Sequence, residues 1–107
     1  MSGFVITYIL REQQKSEYDW VNLIFNDSYV GKARCLINGN NFTIFSINIY
    51  PEHKGKGYGK AFIEEVKSNY NIIIADRVRT KAIGFWESVG FIKEGETGNW
   101  SYTRDSA

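Results

Sequence analysis

Six residues, Lys54-Gly55-Lys56-Gly57-Tyr58-Gly59, constrain this chain more than any other segment. They stand between an apolar, β-like run (Phe42 to Tyr50) closed by Pro51 and a stretch of helical period. Glycine at every second position lets the backbone reverse sharply and clears side chains from its approaches. A helix that opens straight after such a turn points several unpaired N–H groups at one place, and its dipole adds positive potential there. Lys54, Lys56 and Lys60 add charge around the turn. The expected ligand is a phosphate, above all the diphosphate of a cofactor. A Walker-type nucleotide loop fits poorly, because Gly59 is followed by Lys60-Ala61, with no hydroxyl residue to hold magnesium.

The flanking patterns set the fold class. Phe4, Ile6, Tyr8 and Leu10 alternate with Val5, Thr7 and Ile9, as in a strand with at least one buried face. Trp20–Phe25, Tyr29–Ile37 and Phe42–Tyr50 are further strand-like runs. The turn signals Asn26-Asp27-Ser28 and Asn38-Gly39-Asn40-Asn41 divide them, which predicts antiparallel hairpins. After Pro51 the period changes: Tyr58, Ala61, Phe62, Val66 and Tyr70 predict a helix over roughly 57–69. Ile72-Ile73-Ile74-Ala75 then reads as a short strand buried on both faces, parallel to the fourth. A second helix is expected from Thr80 as N-cap, with Ala82, Ile83, Trp86 and Val89 inward and Gly90 as its left-handed terminator. Two closing strands flank the turn Gly95–Gly98. The expected class is α/β (α+β): a mixed, mostly antiparallel sheet with one βαβ unit and two main helices, in a single domain over 1–107.

Bulk properties narrow the function classes. Thirteen basic residues against 12 acidic ones give a net charge of +1, no reason to expect nucleic acid or an anionic membrane as partner. Cys35 is the only cysteine and reads as a small core residue, so a reducing, cytoplasmic setting is expected. Met1–Leu10 lacks a basic region followed by an apolar core and a cleavage site, and no run approaches membrane-spanning length. No His, Cys, Asp and Glu fall at metal-ligand spacing, so no metal is expected.

Ile47-Asn48-Ile49-Tyr50-Pro51-Glu52-His53-Lys54-Gly55-Lys56-Gly57-Tyr58-Gly59 resembles the acetyl-CoA-binding segment of the GNAT N-acetyltransferase superfamily. Ala82-Ile83-Gly84-Phe85-Trp86-Glu87-Ser88-Val89-Gly90-Phe91 is similar to that family's second signature helix. The resemblance implies that the amides of Lys56, Gly57, Tyr58, Gly59 and Lys60 hold the pyrophosphate of acetyl-CoA, with Gly55 shaping the turn and Lys54 beside it. It implies that Ile47, Asn48 and Ile49 run along the pantetheine arm, that the Ile49 amide polarises the acetyl carbonyl, and that Phe85 and Trp86 border the cofactor. Helical spacing alone already assigns Trp86 to the core.

The implied reaction is direct attack of an amine on the thioester, with a base taking the amine proton. Three departures stand out. Lys54 replaces the usual Gln or Arg; Asn41–Tyr50 carries no carboxylate; and Trp86 occupies the position where many members place a tyrosine acid. His53, the only histidine, is the candidate base and Tyr102 a displaced candidate acid, although a solvated loop for the first and ordinary sheet packing for the second are the simpler explanations. Only the polar stretch Glu12–Asp19, one helical turn at most, separates the first two strands, where the family usually has two helices. The acceptor side is therefore open to a macromolecular amine or completed by a second copy, a homodimer. The alternative is a CoA-binding sensor or regulatory module without turnover, and an adaptor that keeps only the fold is a third possibility.

Overall fold

The computed structural model describes residues 2–104. Four strands, β1 (Phe4–Ile9), β2 (Asp19–Phe25), β3 (Ser28–Asn38) and β4 (Asn41–Ile49), form an antiparallel meander. The β2–β3 reversal takes two residues, and both Asn26 and Asp27 adopt positive φ (49° and 65°). These residue types tolerate that region, and the right-handed twist of the strands favours it in a tight hairpin. Between β1 and β2 lies a single helical turn, α1 (Arg11–Gln14), as the polar spacer predicts.

Helix α2 (Tyr58–Asn69) then crosses to β5 (Ile72–Ala75), which pairs parallel with β4. Helix α3 (Ile83–Ser88) leads to β6 (Ile92–Lys93) and β7 (Trp100–Thr103). The seven strands form one sheet in the order β1-β2-β3-β4-β5-β7-β6. The expected mixed, mostly antiparallel architecture is the observed one.

One face of the sheet makes the core. Val21, Leu23, Ala33, Cys35, Phe42, Ile44, Ile73 and Ala75 are buried on it, beneath Tyr58, Phe62, Ile63 and Val66 of α2. The helix residues recur at three- and four-residue spacing, so one stripe of α2 reaches the sheet. Each such side chain contributes about 1.5–3 kcal/mol when fully buried. Burial pushes the Cys35 thiol far above its ordinary range, with the neighbouring Asp19 charge adding to the shift, so it is an inert core thiol.

Two expectations need correction. Ile72–Ala75 is buried on one face only: Ile73 and Ala75 are enclosed, whereas Ile72 is exposed and Ile74 half-buried. The helices cover one side of the sheet and leave much of the other open, with Val5 and Ile92 also exposed there. An uninterrupted apolar run does not reveal this. Thr80 is not the N-cap of the second helix either. Residues Thr80–Ala82 form a 3-10 turn, and α3 starts at Ile83 without side-chain capping. Its C-terminus is as expected: Gly90 is left-handed (φ 86°), its N–H donates to Glu87 and that of Phe91 to Trp86 (both 3.0 Å). The Phe91 ring packs on Trp86 with centroids 4.8 Å apart.

Asp19 ties the short β1–β2 connection to the β3 end of the sheet. Its carboxylate is 2% exposed and accepts hydrogen bonds from Arg11 N–H (2.7 Å), Arg11 Nη1 (2.8 Å) and Ile37 N–H (2.8 Å). Asp19→Ala removes the two oxygens that accept these three bonds and strands two amides. Arg11 can still turn to water, so the expected loss is about 3 kcal/mol, short of the largest values for broken buried pairs. Urea unfolding measures it, and a loss below about 1 kcal/mol overturns this account of the connection.

Candidate functional site

The site grows from a divergence between β4 and β5. The two strands pair only from Asn41↔Ile72 to Ile44↔Ala75, and the Asp76 N–H closes the ladder on Ile44 O (2.9 Å). At that point β4 bulges. Cys35 opposes Ile44 and Arg34 opposes Ser46, leaving Phe45 without a partner on β3. An extra residue of this kind bends its strand and increases the local twist. From Phe45 to Ile49, β4 has no neighbour on its β5 side.

The Tyr50 N–H donates to Val30 O on β3 (2.9 Å). Alternation along the strand then turns the main-chain groups of Ile49 and Ile47 the other way, into the gap. A cavity of about 570 Å³ occupies this gap. Ile47, Ile49, Gly59, Phe85 and Trp86 line it on the helix side, and Arg34, Phe45, Ser46 and Asp76 on the far side. A second cavity of about 490 Å³ shares Ile47, Ile49, Gly59 and Phe85 with the first and continues to His53, Lys54, Gly55, Gly57, Tyr58 and Lys60. Together they make one track from the open edge of β4 to the start of α2.

That start is built as the glycine pattern requires. Gly57 caps α2 with φ 86°, and the first intrahelical bond runs from Ala61 N–H to Gly57 O (3.0 Å). The amides of Tyr58, Gly59 and Lys60 therefore have no partner inside the helix. No side chain caps the helix, and its first turn carries no acid. These donors face the track with nothing of the protein's own to satisfy them. Gly59 serves a different need: a Cβ there would meet the Phe85 ring at 3.4 Å, so glycine lets α2 and α3 approach closely. Tyr58 is buried, its ring 5.3 Å from Phe25 and 6.2 Å from Phe4, which anchors the glycine turn to the meander.

The remaining sequence candidates fall in different places. Asn48 lines the second cavity, whereas Lys56 lines neither. His53 borders only the second cavity, at the glycine turn; its Nδ1 is buried without a partner, and its Nε2 lies 3.9 Å from Glu52. Tyr102 lines neither cavity, packing between the Phe91 ring (6.0 Å) and the Lys67 ammonium (4.5 Å). Trp86 belongs both to the core and to the wall of the larger cavity.

Sequence reasoning missed Arg34, Phe45 and Asp76. For Asp76 a signal existed: a lone carboxylate directly after a buried run, at the C-terminal end of a parallel strand, is where ligands gather in sheets of this kind. Its side chain is 24% exposed and takes an ion pair from Arg77 Nε at 3.1 Å. Among the described residues no group of three or more His, Cys, Asp or Glu converges as a metal site, and no helix is long and apolar enough to cross a membrane.

Residues 4–91 match the profile of the acetyltransferase (GNAT) family. This chain belongs to the GNAT family. An N-acetyltransferase of Bacillus pumilus (strain SAFR-032) is 33% identical over 90 residues, covering 74% of this chain and 56% of its own. This GNAT chain spans about half or less of the length of the curated relatives it matches. Among solved structures, YhhK of E. coli bound to coenzyme A superposes with a TM-score of 0.71 at 16% identity, covering 94% of this chain and 98% of its own. YlbP of Bacillus subtilis, in complex with coenzyme A, gives 0.65 at 22% identity over 90% of this chain and 78% of its own. At such identities the likeness is one of GNAT fold.

Proposed function

We propose that this chain transfers an acetyl group from acetyl-CoA to an amine. The observation that carries the reading is the continuous track joining the unpartnered β4 edge to the uncapped start of α2. An extended, amide-bearing pantetheine arm suits the open strand edge, as an added strand suits any unpaired one. A diphosphate suits the three orphan amides of Tyr58, Gly59 and Lys60, with Lys54 and Lys60 nearby. Coenzyme A is the ligand of YhhK and YlbP, whose folds match this one.

Acetyl-CoA supplies an activated acyl group as a thioester. The Ile49 N–H, turned into the gap, is the donor for the acetyl oxygen as charge builds on it. Trp86 and Phe85 exclude water from one wall, and the divergence of β4 from β5 lets an acceptor amine enter from the other. A C–N bond forms and the C–S bond breaks. The amine proton passes to a base while the departing sulfur acquires one. Asp76 is the carboxylate placed for the first transfer, since it lines the same cavity as Ile49. His53 sits at the phosphate end, and Tyr102 lies outside the track.

The test has two arms. Calorimetry with acetyl-CoA reads binding, and release of free coenzyme A with a panel of amines reads turnover. Saturable binding with amine-dependent release is the expected result. Binding without release on every acceptor would favour a non-catalytic CoA-sensing module, and no binding at all would remove both readings.

A further inference from the structure

Two arginines of this chain are not fully exposed, and they differ sharply. Arg11 is paired: it donates to Asp19, to Ile37 O and to Asn38 Oδ1. Arg34 lines the larger cavity, yet its Nε is buried and has no hydrogen-bond partner among the described residues. No carboxylate lies within ion-pair distance of it among those residues. Its guanidinium instead lies 4.7 Å from the Tyr18 ring and 5.8 Å from that of Phe45, and the two rings meet edge-on at 5.3 Å. Aromatic faces hold a guanidinium through its flat side and leave its N–H edge free. An arginine fixed in this way is a fork awaiting a planar anion.

Its location identifies the ligand. Arg34 alternates on β3 with buried Ala33 and Cys35, so it rises on the face of the sheet away from α2. Gly59 and Phe85 line the same cavity from the α2 side. The cavity thus has a cofactor wall and, through the gap between β4 and β5, an opposite mouth where an acceptor enters. Arg34, Arg77, Arg79 and Lys81 line the cavity against the single carboxylate of Asp76. So positive a cavity disfavours simple cationic amines and draws anionic ones.

We propose that Arg34 is the carboxylate-binding residue of the acceptor subsite, and that the acceptors are primary amines bearing a carboxylate. This rests on the acetyl-transfer reading above. Arg34 pairs bidentately with the acid while the amine of the same molecule reaches the gap beside Asp76. Phe45 supplies one holding ring because the bulge frees it from pairing with β3. Free amino acids and short acidic peptides both present this chemistry.

The test compares matched acceptors that differ only at the anionic group: an amino acid against its amide, and a glycyl-aspartyl peptide against its glycyl-asparaginyl counterpart. The acid of each pair is expected to be favoured about tenfold to a hundredfold in kcat/KM, the range of one charged hydrogen-bonding contact. Whichever pair shows the larger ratio separates free amino acids from peptides. Arg34→Gln should abolish the ratio, and Arg34→Lys should restore part of it, with the calorimetric affinity for coenzyme A as the folding control. Equal rates for acid and amide, or a ratio that survives Arg34→Gln, overturns the proposal.

A second measurement is independent of turnover. Sodium glutarate titrated into the ¹⁵N-labelled chain should move the Nε–H signal of Arg34 saturably, and no movement overturns the subsite. Movement without turnover of any amine would leave the carboxylate site standing and sink the transferase reading. Turnover without acid preference would do the reverse.

Discussion

Gly57→Val is expected to weaken coenzyme A binding by about a hundredfold or more. Gly57 caps α2 at φ 86°, a conformation that a β-branched residue scarcely adopts. The chain relieves that strain by rotating the turn, which turns the Tyr58, Gly59 and Lys60 amides away from their common focus. A hydrogen bond to a charged acceptor is worth about 1.5–3 kcal/mol, so misdirecting two costs at least about 3 kcal/mol. Calorimetry reads the affinity, and circular dichroism checks that the helix survives. Gly84→Ala is the matched control: Gly84 lies within α3 at ordinary φ with open space around it, so alanine there should leave binding untouched. A folded Gly57→Val chain that binds as tightly as before would remove the anion cradle.

Asp76→Asn should cut kcat by about a hundredfold to ten-thousandfold, the usual span for loss of a positioned base. The exchange is nearly isosteric and keeps the Asp76 N–H bond to Ile44 O that ends the β4–β5 ladder. Affinity for acetyl-CoA should therefore stay within a factor of about two, which separates chemistry from binding. Steady-state kinetics with single-turnover controls measure both. Unchanged kcat would remove Asp76 as the base and leave the proton to a bound water.

Much of this architecture could be read locally. The β2–β3 and β3–β4 hairpins follow from Asn26-Asp27 and Asn38-Gly39, because each turn is decided by residues adjacent in the chain. Helix α2 follows from the recurrence of Tyr58, Phe62 and Val66, and the glycine turn announced itself for the same reason. What escaped was whatever depends on distant register. Phe45 looks like any strand residue until β3 is laid beside β4 and one residue proves unmatched. Arg34 looks like an outward-facing solvated cation until Tyr18, from another strand's approach, closes over it. Ile72 and Ile74 sit in an apolar run that says nothing about whether a second layer covers them. Thr80 carries a good capping side chain, yet the chain spends Thr80–Ala82 in a tighter turn before α3 begins.

The four register pairs between β4 and β5 also make a short join beside the long pairings of the meander. Each strand contact in the meander runs for six residues or more, so the sheet is stitched firmly on one side of this join and by four pairs across it. The paired length holds because Phe42, Ile44, Ile73 and Ala75 are buried beneath α2, whereas the stretch of β4 beyond it has no β5 bonds to break. A sheet made this way needs no separate lid: the fabric already parts beyond its fourth pair, at the place where a bulky visitor must pass.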